Sequence, residues 1–466
     1  MSLRAIRLPH TLVLIYAMVV LVAAATWIVP GGEYQRVEKD GRIVPVADSY
    51  REVDRRPQGL AALFVSPIRG FADAANIIAF VLLMGGVFAV VEKTGAVGSG
   101  IRALSERFER KKTLRTLFIP VTMVVFSLGG AVFGMCEETM PFILVFVPLA
   151  LSLGYDTIVG VAIPFVGAAS GFAGAFFNPF TVGIAQGIAG LPLYSGLGYR
   201  LIVWAIGTAI AVAVVMRYAA RIRKDPSRSV SFAQDEERRR ELAVNTPAGE
   251  AAGMTGPQRA VLVLFLLGMG LLVFGILKLK WYIDEIAGLF LALGLVGGIV
   301  GRLRGDDIAR SFVAGAKDMV NTALIIGCAR ALLVVATDGR ILDTTLHAMA
   351  GAIKGFHPVL SAQLMFVSQC VINFFVHSGT AQAALTMPIM APLGDLVGIT
   401  RQTSVFAFQL AEYINPILPT SGVTMGVLGL AKLGWDKWAR WILPLIAIWV
   451  GFALLSLIVP VLTHWK

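Results

Sequence analysis

The chain has 466 residues, of which 57% are hydrophobic and only 15% charged, with a formal net charge of +11. Soluble domains are about a quarter charged, whereas here one apolar run after another is long enough to cross a hydrocarbon core of about 30 Å as a helix. This excludes a soluble globular protein and, because the runs are apolar on all sides rather than alternating, a transmembrane β-barrel.

The excess of positive charge does not imply nucleic acid, since the basic residues cluster in short loops beside apolar runs, as in the cytoplasmic loops of membrane proteins. Cys136, Cys328 and Cys370 all lie in apolar segments with no disulfide or metal spacing, and read as small buried hydrophobes.

In chain order, Arg4 and Arg7 precede an apolar run over 11–30 that is too long for the core of a signal peptide. It reads as a retained first span with its N-terminus inside. The 31–58 loop carries six basic and six acidic residues and suits the outside. Further spans are expected over 71–92, 197–217, 259–279, 283–301, 318–338 and 441–463. The basic stretches RFERKKTLR (107–115) and RYAARIRKDPSRS (217–229), together with Arg302, Arg304, Lys432, Lys437 and Arg440, are placed inside, which leaves the C-terminus outside.

Residues 107–115 and Arg217 then share one side, with about 100 mostly apolar residues between them. An even number of crossings fits if 116–153 is a re-entrant hairpin and 157–190 an interrupted span. Residues 218–282 form a polar linker and a connecting span. The second half repeats the scheme in the opposite orientation, with a hairpin over 358–397 and an interrupted span over 402–431. Amphipathic stretches near 95–112 and 340–356 are expected as interfacial arms or loops. The expected architecture is an all-α polytopic membrane protein of two inverted-topology repeats, 1–217 and 283–466. The halves also echo one another in sequence: TMPFILVFVPLALSLG and TMPIMAPLGDLVG are each followed by an Asn-Pro interruption, FFNPFTVGIAQGIAG and YINPILPTSGVTMGVLG. Paired interrupted segments in two inverted halves mark the binding site of secondary transporters.

Hairpin tips and Asn-Pro breaks leave backbone groups that must face protein or water at membrane depth. The charges added there are acidic: Glu137 and Glu138 at the first tip and Glu412 three residues before Asn415. No Lys or Arg falls in 116–199, 355–400 or 402–431. Ionisable residues inside a membrane are functional candidates by default, and three carboxylates would attract a cation. A carboxylate in hydrocarbon is costly when ionised, so proton carriage is open to them as well. Adjacent helical residues point about 100° apart, so one of Glu137 and Glu138 can instead cap the return helix at Thr139-Met140-Pro141. Ser378, Gly379 and Thr380 have the form of a helix N-cap with close backbone approach. Asn178, Asn415, Thr420 and Ser421 flank the breaks and offer oxygen ligands. His377 is a proton group or a satisfied membrane histidine, and Gln186 and Gln409 are weaker candidates. No GxxxxGK[ST] loop and no HExxH motif occurs. Tyr155-Asp156 and Gly394-Asp395 give only a distorted version of an intramembrane aspartyl protease motif. Two occluding hairpins suit alternating access better than an open channel.

The stretches FSLGGAVFGMCEETMPF, FFNPFTVGIAQGIAGLPLYSG, SGTAQAALTMPIMAPLGDLVG and YINPILPTSG resemble the YfcC-type transporters of the C4-dicarboxylate anaerobic carrier-like group, in the Ion Transporter superfamily. The resemblance covers nearly the whole chain. It implies a bacterial inner-membrane carrier, commonly a homodimer, in which a transport domain moves as an elevator against a scaffold. It also implies a substrate site at Glu137, Glu138, Thr139, Asn178, Ser378, Gly379, Thr380, Glu412, Asn415, Thr420 and Ser421. Where several relatives read Ser-Asn-Thr at the first tip, this chain reads Cys136-Glu137-Glu138-Thr139, which favours the basic amino acid exchangers of that group, of the arginine/ornithine kind, over sodium-coupled dicarboxylate uptake. The expected partners are a small-molecule substrate and the bilayer. No cofactor or metal is expected beyond a coupling proton or sodium ion.

Overall fold

The computed structural model describes residues 10–39, 42–100, 103, 112–244, 254–279 and 281–465. Arg4, Arg7, the start of the 107–115 basic loop, most of the 95–112 arm and the end of the polar linker lie outside the described residues.

Helix α1 (Thr11–Ile28) leads into a loop carrying four short strands. Antiparallel β1 (Gly31–Glu33) and β4 (Arg51–Val53) set Gly31 opposite Val53, and β2 (Arg36–Lys39) and β3 (Arg42–Pro45) set Val37 opposite Val44. The chain is therefore not wholly helical, contrary to the sequence expectation. Val44 is buried while its neighbour Ile43 is exposed, as successive residues of a strand face opposite sides.

Helices α2 (Leu60–Asp73) and α3 (Ala75–Lys93) share the joint residue Ala74. Then α4 (Lys112–Phe133) and α5 (Met140–Ser152) flank the turn that holds Glu137–Thr139. Helix α6 (Thr157–Ala173) begins at Asp156, whose carboxylate accepts from Val159 N at 2.9 Å. It stops at Gly174, and a π-turn, Pro179–Gly183, leads on to α7 (Ile184–Ala189) and α8 (Leu197–Lys224).

The polar linker is folded over Phe232–Val244, helix α9. It docks beneath α6: Asp235 accepts from Thr157 N at 3.1 Å, and Arg239 donates to Tyr155 O at 2.7 Å. Helix α10 (Gly256–Phe274) opens with a capping box formed by Thr255 and Gln258. There follow α11 (Ile283–Val300), α12 (Gly305–Asp318), α13 (Val320–Asp338), α14 (Leu342–Ile353), α15 (Pro358–Phe375), α16 (Gly379–Leu396), α17 (Arg401–Leu410), an irregular helical stretch Ala411–Ile417, α18 (Gly422–Leu430) and the span α19 (Trp435–Leu462). Eight of the described helices are long and apolar enough to cross a membrane.

The amphipathic helices α2 and α12 were not foreseen; each precedes its span with one joint residue between, Ala74 or Met319. Element lengths recur in order. Helices of 18, 14 and 19 residues open the chain, and α11, α12 and α13 have the same three lengths. Each series continues with a helical pair and an interrupted helix, and ends in a span of 28 residues.

Two contacts join segments far apart in the chain, the first of them at the site. Helix α2 lies antiparallel along α13, and a Cβ at Gly70 would come within 2.3 Å of Gly327 O, so only glycine allows the approach. The strand-bearing loop is strapped to α14: Tyr34 N donates to Asp343 at 3.0 Å, Arg36 pairs with Asp343 at 2.9 Å, and Tyr50 stacks on His347 with ring centroids 3.8 Å apart. Burial, together with the Asp343 carboxylate, pushes the Tyr34 phenol up from its ordinary value.

Candidate substrate site

The first tip follows Gly134, whose φ of +76° is a left-handed turn conformation natural to glycine. Pro141 then sits at the start of α5, where its missing N–H costs nothing. The tip closes on itself: Cys136 N donates to Glu138 Oε2 at 2.8 Å and Thr139 Oγ1 to Cys136 O at 2.6 Å. The second tip is an N-cap, with Ser378 Oγ accepting from Ala381 N at 3.4 Å. A Cβ on Gly379 would lie 2.5 Å from Thr181 Cγ2 and 3.3 Å from Glu412 Oε1, so this tip packs on both interrupted regions at once. Thr380 Oγ1 donates to Phe180 O at 3.0 Å.

The two Asn-Pro breaks differ. Asn178 Oδ1 accepts from Phe180 N at 2.9 Å and Thr181 N at 3.3 Å, capping the π-turn. Asn415 instead donates to Glu412 Oε2 at 3.2 Å, while its carbonyl accepts from Thr424 Oγ1 at 3.0 Å. Ser421 caps α18. Glu412 is 1% exposed, and among the described residues its Oε1 has no partner in hydrogen-bonding geometry.

These elements converge on a cavity of about 220 Å³. That is small beside the roughly 300–1,000 Å³ of drug-sized sites and suits a small solute. Of the candidates, Glu137, Glu138, Ser378, Gly379, Thr380, Asn415, Thr420 and Ser421 line it, as does His377. Thr139 and Glu412 lie behind, on an adjoining cavity of about 20 Å³ that shares Cys136, Phe172, Asn415 and Val423. Asn178 lines neither; its role here is the cap. Gln186 bonds to Ser195 and Gln402, and Gln409 to Phe172 O, outside the cavity wall. His377 faces Asn373 O at 3.1 Å, and the partner of Glu412 is Asn415 rather than His377.

One expectation needs correction: the charges at the site are not all acidic. Asp73, at the end of α2, and Arg330, in mid-α13, form an ion pair on the cavity wall, and Tyr282 adds a hydroxyl 3.5 Å from Glu137 Oε1. Arg330 could have been found in the sequence, since it is the one charged residue between Val320 and Thr337 of an apolar span, which by itself marks a functional candidate. Its position in the sequence is far from both tips, and it reaches the cavity from another helix. The wall thus carries three carboxylates and one guanidinium, facing the N-terminal ends of α16 and α18, whose dipoles favour negative charge. A solute bearing separated cationic and anionic ends matches this wall. A larger cavity, about 590 Å³, lies between β2–β3 and the α7 region but is lined by apolar residues and Tyr194, without convergent charge.

The model of the C4-dicarboxylate anaerobic carrier family matches residues 8–462. The chain belongs to this family. In Escherichia coli (strain K12) the relative named "Putative basic amino acid antiporter YfcC" is 37% identical over 93% of this chain and 92% of its own length. A Haemophilus influenzae protein, named only as uncharacterized, is 27% identical over 97% of each chain. Among solved structures, the Alcanivorax borkumensis YdaH transporter (16% identity, 98% of this chain and 99% of that one) and Neisseria gonorrhoeae MtrF (17%, 98% and 96%) each match with a TM-score of 0.42. As a member of this carrier family with eight candidate spans, the protein is a multi-pass membrane transporter of a small molecule.

Proposed function

We propose that the protein is a secondary active carrier of the cytoplasmic membrane that exchanges basic amino acids, of the arginine or ornithine type, by alternating access. The observation that carries this reading is the charge of the cavity: Asp73, Glu137 and Glu138 line it against the single guanidinium of Arg330, with Glu412 directly behind. The name of the 37% identical relative agrees. The ammonium or guanidinium end of the substrate faces the glutamates, and its α-amino acid end faces the N-termini of α16 and α18. The recurring 18, 14, 19 and 28 residue helices support two repeats of inverted topology, over 1–217 and 283–466, with 218–282 between them. In the elevator scheme the two helical pairs and interrupted helices move together against α2–α3 and α11–α13. The N-terminus is cytoplasmic, the C-terminus periplasmic, and the working unit a homodimer, with a proton or sodium ion as the coupling ion if any is used.

A second reading has its own support. Arg330 on the wall, and the dicarboxylate carriers from which the family takes its description, favour a C4-dicarboxylate or another organic acid, with the glutamates carrying coupling protons. A thermal-shift panel on the purified protein separates the two: arginine, ornithine, lysine, succinate, fumarate and malate, each with and without sodium. A ligand that binds the folded state at a hundredfold excess over its Kd stabilises by about 2.7 kcal/mol. Stabilisation by arginine or ornithine and not by succinate is the expected result; the reverse pattern overturns the first reading in favour of the second.

A further inference from the structure

The Arg330–Asp73 pair sits where a structural ion pair has no need to be. Arg330 lies mid-way along an apolar span, and the close contact of Gly70 on Gly327, one helical turn before each partner, brings the two side chains together at the edge of the cavity. A charged side chain at this depth is costly unless paired. Only one corner of the guanidinium is used: Nε donates to Asp73 Oδ2, while neither terminal amino group hydrogen-bonds a protein atom among the described residues. The side chain keeps 31% exposure and, among the described residues, is the one cation on the cavity wall. Two parallel N–H donors on a rigid plane match a carboxylate, and such two-point pairs are the strong, geometrically selective ones.

We propose that Arg330 binds the carboxylate of the transported solute through its terminal amino groups and that Asp73 is the residue that positions it. This rests on the amino-acid reading above and deepens it. The carrier recognises a carboxylate between Arg330 on the α2–α13 wall and the N-termini of α16 and α18, and a cation at the first tip. It therefore discriminates a basic amino acid from the amine left when the carboxylate is removed. Arginine and agmatine form the diagnostic pair, because both present the same guanidinium to Glu137 and Glu138 and only one carries the anion.

The test is the dissociation constant of each, measured by calorimetry on the full chain in detergent. Wild-type protein should bind arginine more tightly than agmatine. In Arg330→Gln arginine should lose roughly 10- to 100-fold, the worth of a charge-assisted pair, and agmatine less than about 3-fold. Because this substitution strands the Asp73 carboxylate, the neutral double variant Asp73→Asn/Arg330→Gln is measured beside it and should show the same selective loss. Asp73→Asn alone keeps an acceptor for Nε and should reduce the arginine-to-agmatine preference by less than about 10-fold. Equal losses for the two ligands, or an unchanged preference for arginine in the double variant, overturn the proposal. Wild-type protein that binds succinate but neither arginine nor agmatine sinks the amino-acid reading alone. Arg330→Gln is then read on succinate: its loss supports the carboxylate receptor and its retention overturns it.

Discussion

The two Asn-Pro interruptions share a sequence signature and differ in what they do. At the first, Asn178 turns its side-chain oxygen on the backbone and satisfies two N–H groups of the π-turn, and the buried groups left without a partner among the described residues are the neutral Asn178 Nδ2 and Thr181 Oγ1. At the second, Asn415 spends its amide on Glu412, and the neighbouring Ser421 supplies the helix cap instead. Division of labour follows. With capping delegated, the second break is free to hold a buried carboxylate with one unpartnered oxygen beside the Gly379 tip. The same dipeptide thus makes a self-capped turn in one place and the support of a buried carboxylate in the other, and the deciding residue is the acid three positions earlier. A buried group left partly unpaired in a native fold calls for a reason, and binding a charge is one.

If that contrast is right, the largest effect should come from the second break. Glu412→Gln keeps the shape and the contact with Asn415 but removes the charge behind the cavity. Affinity for a cationic substrate should fall by about 2–3 kcal/mol, while the protein remains folded, since a buried charge is removed and none is created. Calorimetry with arginine gives the first number and thermal melting in detergent the second; unchanged affinity would leave Glu412 as a buried structural acid. Next in size is Gly379→Ala. Its methyl group would press on Thr181 Cγ2 and approach Glu412 Oε1, and forcing an extra carbon into such packing costs roughly 1–3 kcal/mol. A lower melting temperature together with weaker binding is expected. A variant as stable as wild type would show that the tip lifts away from the break without cost.

The contrast also shows what the chain discloses as a sequence. Apolar runs, basic loops and the recurrence of Thr-Met-Pro and Asn-Pro locate the helices and both breaks, because these depend on local composition and on proline. Which break carries the acid is also visible, since Glu412 is near Asn415 in sequence. Arg330 and Asp73 were not connected to the site, because the pairing depends on Gly70 meeting Gly327 across helices that are far apart in the chain. The strands over 31–53 were missed for a similar reason: Tyr34 and Arg36 are fixed by Asp343, some 300 residues away. Asn178 shows the opposite case. Its type and position suggested a ligand, but an asparagine before proline has a local use for its oxygen, and the backbone took it.

Asn178→Ala should accordingly cost about 1 kcal/mol of apparent stability, the usual worth of a cap, and leave the arginine-induced thermal shift in place. Losing that shift would erase the distinction between the breaks. The smallest expected effect tests the link between the halves. Thr380 Oγ1 donates to Phe180 O, so the second tip is tied to the first break by one hydrogen bond while also lining the cavity. Thr380→Val preserves the shape and deletes the donor. If the hydroxyl serves the tie, apparent stability falls by about 1 kcal/mol, the net contribution of a neutral hydrogen bond, and arginine affinity changes little. If instead the hydroxyl serves the substrate, affinity falls and the melting temperature does not. The bond to Phe180 O already engages the one proton of the Thr380 hydroxyl, and a substrate carboxylate would have to take that proton from the carbonyl. A structural tie is therefore the expected result for this hydroxyl.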